Sequence, residues 1–334
     1  MQTDHLSYAS ESLPRWQRAF VRAMENASGR RRLLPLYDRW RAESAGTSPR
    51  MMAEMLELIG TSLDLQGAWP ARIAPGEPLV IVANHPFGIG DGIALTVLAE
   101  AMGRPYRILV NRDFLKVPEV RDIVLPVDFA ETEAAVATNL ATRAAARRLL
   151  KEGATLIIFP AGGVATAERP FGPAEELPWK LFTARLIQQS GASVLPVYFE
   201  GQNSRVFHLA SRVSLMLRLS LLVSEFRKFV GAKVRLHVGD VVRFEELEHR
   251  GDRRALTDEL YARVQRLAPG NAGKPLAKLR QRPVAERMSF PWDSARPSVG
   301  NGRSSNVPVD GASRPASVTI SAAAPLSTSN KTVT

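Results

Sequence analysis

The chain has no cysteine among its 334 residues. That excludes a disulfide framework, a thiolate metal site and a cysteine nucleophile. Histidine is sparse: His5, His85, His208, His237 and His249 lie scattered, without the spacing that holds a metal ion. Long apolar runs are missing too. The nearest approach, Val213 to Val223, is broken by Arg218 and falls short of the roughly 18–20 residues of a spanning helix. The start, Met1-Gln-Thr-Asp-His5, is polar and lacks the apolar core of a signal peptide. There is no Gly-x-Ser-x-Gly elbow, which argues against a serine hydrolase. Nor is there a nucleic-acid recognition motif or a strand pattern mixing aromatic and basic residues.

What is present is an excess of positive charge, 44 Lys and Arg against 33 Asp and Glu, for a net +11. Such a surface favours polyanions, either nucleic acid or an anionic membrane. Without a recognition motif the nucleic-acid reading is the weaker. Hydrophobic residues make up 45% of the chain, enough for a real core in one large or two small domains.

Residues 1–60 read as amphipathic helices. Trp16, Phe20 and Met24 recur at spacing four, with Arg15, Arg18 and Arg22 off that face, and Arg30-Arg31-Arg32 precedes Leu33-Leu34. This pattern suits a membrane interface or a helix packed on a core with arginines in water. From Leu79 the pattern alternates. Strands are expected at 79–83, 106–110, 123–127, 154–159, 194–199 and 233–238. Helices are expected near 92–103, 132–152, 178–190, 204–229 and 253–267, the last capped by Asp252. Alternation of this kind predicts an α/β fold with a largely parallel central sheet flanked by helices, spanning 61–269. Beyond Pro269, Pro, Ser, Ala, Thr and Gly dominate, and 270–334 reads as a disordered tail.

Four segments could carry chemistry. The first is Leu79-Val-Ile-Val-Ala-Asn84-His85-Pro86-Phe87-Gly88-Ile89-Gly90-Asp91-Gly92, a buried strand ending in a histidine, then a glycine turn and an acid. An imidazole takes a proton from an alcohol near neutral pH, and a carboxylate can hold the ring in one tautomer. On spacing alone two readings stand: a His85–Asp91 catalytic pair, or an acid that caps the next helix beside an ordinary turn histidine. The second segment is the cationic Asn111-Arg112-Asp113-Phe114-Leu115-Lys116-Val117-Pro118. The third, Leu156-Ile-Ile-Phe159-Pro160-Ala161-Gly162-Gly163-Val164, ends a strand in small residues whose N–H groups can approach an anion or carbonyl. The fourth, Val194 to Ser204, leads a strand into Glu200-Gly201-Gln202-Asn203.

In this order the four segments resemble the glycerolipid (lysophospholipid) acyltransferase superfamily over about residues 75–205. The His-Pro-x-Gly-x-x-Asp-Gly form, matched by His85, Pro86, Gly88, Asp91 and Gly92, is similar to its hemolysin-like and lyso-ornithine-lipid branch. Trp179 after a Pro, the Tyr198 to Ser204 block and Leu217-Arg218…Glu225-Phe226 resemble that branch as well. Relatives that make phosphatidate carry arginines in the second and third blocks. Here Val127-Asp128-Phe129 and Val164 stand in those places, which argues against a glycerol-phosphate acceptor because arginine is the residue that forks onto phosphate.

The resemblance implies transfer of a fatty acyl chain from an acyl carrier protein or coenzyme A thioester to a lysolipid hydroxyl. Lyso-ornithine lipid is the first expectation and a lysophospholipid the second. His85 is then the general base and Asp91 its orienting acid. Asn84, Pro86, Gly88, Arg112, Lys116, Phe159, Pro160, Gly162, Gly163, Glu200 and Asn203 are expected to line the substrate site, with N–H groups near Gly162 and Gly163 facing the oxyanion. No metal, bound cofactor or nucleic acid is implied. The expected location is peripheral, on the cytoplasmic face of the inner membrane, with the anionic lipid surface as partner. Helix 204–229, with Val206, Leu209, Val213, Leu217 and Leu221 on one face, either seats the chain on lipid or is a core helix. A lipid-binding protein without catalysis is the competing reading.

Overall fold

The computed structural model describes residues 15–281 apart from 28, 45–47, 170–171, 214 and 280. Helices α1 (Arg15–Ala27), α2 (Arg30–Glu43) and α3 (Met51–Leu58) come first. The elements β1 (Ser62–Gly67), β2 (Leu79–Ala83), α4 (Ile89–Ala101), β3 (Tyr106–Asn111), β4 (Val124–Val127), α5 (Glu133–Lys151) and β5 (Thr155–Ile158) follow. A short hairpin, β6 (Thr166–Ala167) and β7 (Ala174–Glu175), precedes α6 (Phe182–Ser190) and β8 (Ser193–Phe199). The chain continues through α7 (Arg205–Val213), α8 (Leu215–Phe229), β9 (Lys233–Val238) and α9 (Arg253–Arg266).

Seven strands form one sheet in the order β1-β9-β8-β2-β5-β3-β4. The run from β8 to β4 is parallel throughout. β9 is antiparallel to β8, and β1 is parallel to β9. The central sheet is therefore largely parallel, as expected, with an oppositely directed pair at one edge.

β2 lies at the centre, between β5 and β8, with every residue buried. Its period-two alternation divides the core. Leu79, Ile81 and Ala83 face Trp40, Met52, Leu56, Leu95, Leu98 and Phe229 from α2, α3, α4 and α8. Val80 and Val82 face Ala146, Leu150, Ile187, Leu256, Leu260 and Val264 from α5, α6 and α9. Burial on both faces explains why this strand is apolar at every position.

Local chemistry sets the helix starts. The Asp252 carboxylate accepts from the N–H groups of Arg254 and Ala255, the cap expected of it. Glu100 accepts from Met52 and Ala53 N–H, each at 3.0 Å, and so caps α3 from α4.

The stretch expected as one helix at 204–229 is described as α7 and α8, and it is not one straight helix, because the Arg218 guanidinium lies 5.1 Å from the ring of Phe207, eleven residues earlier. On α7 the buried face is Phe207, His208 and Ser211, whereas Val206, Leu209 and Val213 are 65%, 54% and 65% exposed. The apolar stripe read from the sequence thus points away from the core on α7. The packed chain also runs past 269: residues Leu276–Leu279 form a 3-10 turn, and Trp179 N–H donates to Gln281 Oε1. α1 packs on α8 with Val21 buried. The Trp16, Phe20 and Met24 side chains and residues 282–334 lie outside the described residues.

Because the five neighbouring strands are parallel, their C-terminal ends share one edge of the sheet. Asn84-His85, Phe159-Pro160, Glu200-Gly201, Arg112 and Asp128 all follow those ends. This is the edge where open α/β sheets place their chemistry.

Candidate active site

His85 stands just past the last ladder residue of β2. Its Nδ1 lies 3.0 Å from Asp91 Oδ2. The same oxygen accepts from Phe87 N–H (2.8 Å) and Gly88 N–H (3.0 Å). Asp91 is the third residue of α4 and Gly88 its N-cap. Asp91 therefore caps α4, and the same oxygen contacts the His85 ring, so capping does not exclude a His85–Asp91 pair. The Asp91 side chain is fully buried, and its Oδ1 has no hydrogen-bond partner among the described residues. Burial pushes the Asp91 carboxyl up, opposed by the His85 bond and the two main-chain donors.

The turn that brings Asp91 back requires Gly88, whose φ is +87°. A Cβ there would stand 3.2 Å from Val164 Cγ2 and 3.4 Å from Leu222 Cδ2, so the third segment and α8 close over this turn. The imidazole stacks on Phe159, with ring centroids 4.0 Å apart and planes at 22°. The His85 side chain remains 16% exposed. With Nδ1 on Asp91, Nε2 is the nitrogen left to meet a substrate.

Several residues expected to line the site are committed to the scaffold. Asn84 bonds reciprocally with the Phe199 main chain, Nδ2 to O at 2.9 Å and N–H to Oδ1 at 2.7 Å, extending the β2–β8 ladder by one side chain. Phe159 is a platform for the imidazole. Pro86 is buried, and Pro160 O accepts from Lys180 N–H at 3.0 Å. Gly162 N–H donates to Phe159 O at 2.9 Å, so it closes a turn and does not face an oxyanion. No bond of the Gly163 N–H is found among the described residues. Glu200 turns to β9, where it meets His237 at 3.1 Å and Arg235 at 3.6 Å. Asn203 is 4% exposed, and its Nδ2 has no hydrogen-bond partner among the described residues.

The two cations expected at the site, Arg112 and Lys116, are each paired with an acid. Arg112 donates to Asp128, and Lys116 Nζ lies 2.7 Å from Asp113. Arg121 Nε donates to Leu115 O. Burial works against the charge on Asp128, yet the Ala130 N–H and the Arg112 guanidinium hold its carboxyl below the ordinary carboxylate range. Asp128, in the Val127-Asp128-Phe129 stretch, is thus the acid that pairs with Arg112.

Glu176 is a residue that sequence reasoning missed. Its carboxylate accepts from His85 N–H at 2.8 Å and from the Trp179 indole N–H at 2.7 Å. It sits in Ala174-Glu175-Glu176-Leu177-Pro178-Trp179, beside two-residue strands too short to carry any period. The only signal was the Pro-Trp pair nearby. Lys180 follows, and a Cβ on Gly162 would stand 3.5 Å from its Cε.

Comparison with known proteins places the chain in a family. The profile of a family described as "Acyltransferase" matches residues 60–265. The lyso-glycine lipid O-acyltransferase of Phocaeicola vulgatus is 23% identical over 154 residues, 46% of this chain and 52% of that protein. That of Bacteroides thetaiotaomicron is 27% identical over 164 residues, 47% of this chain and 55% of that protein. The chain thus matches about half the length of these curated relatives. Among solved structures, the 1-acyl-sn-glycerophosphate acyltransferase PlsC of Thermotoga maritima aligns with a TM-score of 0.43 at 15% identity, covering 66% of this chain and 76% of that one.

Proposed function

Because the chain belongs to the acyltransferase family over residues 60–265, we propose that it moves a fatty acyl chain from a thioester to the hydroxyl of a lysolipid. The observation that carries this reading is the His85 Nδ1–Asp91 Oδ2 contact of 3.0 Å at the C-terminal edge of the sheet. His85 Nε2 takes the proton of the acceptor hydroxyl as its oxygen attacks the thioester carbonyl. Asp91 keeps Nδ1 protonated and stabilises the imidazolium that forms. The Gly163 N–H is the candidate donor to the oxyanion. Collapse of the tetrahedral species expels the thiolate, which recovers the proton from His85. No enzyme nucleophile is needed, in keeping with a chain that has no cysteine.

The acceptor is a lysolipid without a glycerol phosphate, with lyso-ornithine lipid and its amino-acid-linked analogues as the first class. Pairing of Arg112 with Asp128 and of Lys116 with Asp113 supports this, since each cation already has an acid partner and offers less to a phosphate. The names of the two bacterial relatives point to the same class of acceptor. The donor is an acyl carrier protein or coenzyme A thioester; both are anionic and suit the basic surface. No described helix is long and apolar enough to cross a membrane. We place the contact with the anionic inner-membrane surface at the exposed Val206, Leu209 and Val213 stripe of α7.

A panel assay tests the reading. Radiolabelled acyl carrier protein and coenzyme A thioesters are offered with lyso-ornithine lipid, lyso-glycine lipid and lysophosphatidate. Transfer to the amino-acid lysolipids is expected to exceed transfer to lysophosphatidate. Preference for lysophosphatidate would overturn the acceptor class, and no transfer to any acceptor would favour a lipid-binding protein without catalysis.

A further inference from the structure

The main chain of His85 has left the β2 ladder, so its N–H and C=O must find other partners. Both partners come from the segment that carries the β6–β7 hairpin. Ala165 N–H donates to His85 O at 2.8 Å, and His85 N–H donates to Glu176 Oε1 at 2.8 Å. Each limb of that segment is anchored in turn. On one limb the Arg218 guanidinium, 3% exposed, donates to Val164 O (2.6 Å), to Ser211 Oγ (3.1 Å) and to Thr166 Oγ1. On the other, Glu176 Oε2 accepts from the Trp179 indole at 2.7 Å, and that indole packs edge-on against Tyr261 of α9 at 5.4 Å.

From this geometry we infer that Glu176 is a positioning residue for acyl transfer, one that sets the His85 backbone and thereby the imidazole. This rests on the assignment of His85 as general base. A carboxylate buried to 5% exposure is costly unless both oxygens are well bonded, so packing alone does not call for an acid here. What the position does require is two acceptors at once, one for a peptide N–H and one for an indole N–H. A carboxylate meets that need, whereas an amide of the same shape has one acceptor and one donor. The link is indirect. Glu176 reaches the main chain of His85, while Asp91 reaches the ring, so the two acids fix different degrees of freedom of one histidine.

The test is the variant Glu176→Gln. Its amide must oppose either the indole N–H or the His85 N–H donor to donor. A roughly 10- to 100-fold fall in kcat is expected, the scale of a catalytic group displaced by about 1 Å, with KM for donor and acceptor within about twofold. Adding Trp179→Phe removes the competing donor, frees the amide oxygen for His85, and is expected to restore most of the lost kcat. Glu176→Asp, too short to reach both donors, is a second route to the same loss should the amide variant fold poorly. Wild-type kcat in Glu176→Gln, or a double variant no better than the single one, would overturn the inference. Should the wild type transfer no acyl group, the function reading fails separately, and the inference is then read without substrate from the His85 ring resonances. Those are assigned with His85→Gln; a shift in Glu176→Gln supports the inference and an unchanged resonance overturns it.

Discussion

Replacing Asp91 by asparagine separates two roles that a single oxygen combines. Asp91 Oδ2 receives the His85 ring and the N–H groups of Phe87 and Gly88. An amide oxygen in the same place keeps the two main-chain bonds and so the cap on α4, while the NH2 in place of the unpartnered Oδ1 is a buried donor without an acceptor, so stability should fall by about 1–3 kcal/mol. The negative charge is lost. Removing one partner from a buried ion pair costs about 3–5 kcal/mol. In the proposed reaction the imidazolium is charged only once the proton has moved, so this cost falls on the transition state. At 1.36 kcal/mol per tenfold, kcat should drop roughly 10²- to 10⁴-fold. Asp91→Ala should match that kinetic loss and also lower stability by about 1–3 kcal/mol for each of the two orphaned N–H groups. Steady-state acyl transfer and a denaturant melt measure the two effects on the same samples, with His85→Ala as the inactive reference. The reasoning is refuted by an asparagine variant with near wild-type kcat, which would leave Asp91 only its capping role. It is equally refuted by near wild-type turnover in His85→Ala.

Three further predictions concern the surroundings of the site. Asp128 has a depressed carboxyl, so its bonds to the Ala130 N–H and to Arg112 contribute stability that is fully present above the unfolded value of about 4 and is lost as pH falls through the lower folded value. Acid melts should show a shallower decline for Asp128→Asn than for the wild type, and an identical decline would refute the assignment. Serine at Val206, Leu209 and Val213 together should weaken flotation with anionic vesicles several-fold without changing the melting temperature, since all three are exposed; unchanged flotation would remove α7 as the lipid contact. Gly90→Ala should cost about 1–3 kcal/mol, because the added Cβ would lie 2.5 Å from the Phe229 ring. A neutral result in a denaturant melt would mean that α8 can shift away.

Much of the sheet was legible because burial on both faces leaves a strong local signal. The β2 and β9 boundaries follow from runs of apolar or alternating residues, and the parallel arrangement follows from strands alternating with helices. β1, Ser62–Gly67, was not legible. It is a half-exposed edge strand whose partner, β9, lies far along the chain. The apolar spacing of Val206, Leu209 and Val213 was legible too, but not that all three side chains face away from the core.

For the site, the sequence alone determined which chemistry is available. It supplied a histidine and an acid across a glycine turn, and no thiol. Which atoms meet is a matter of tertiary structure. Only the fold decided that Asp91 Oδ2 both caps α4 and holds His85, because that depends on the turn closing at Gly88 beneath Val164 and Leu222. Only the fold paired Arg112 with Asp128 across neighbouring strand ends and turned Glu200 away toward β9. And only the fold brought Glu176 to the main chain of His85, a contact between residues 91 positions apart that no local period can announce.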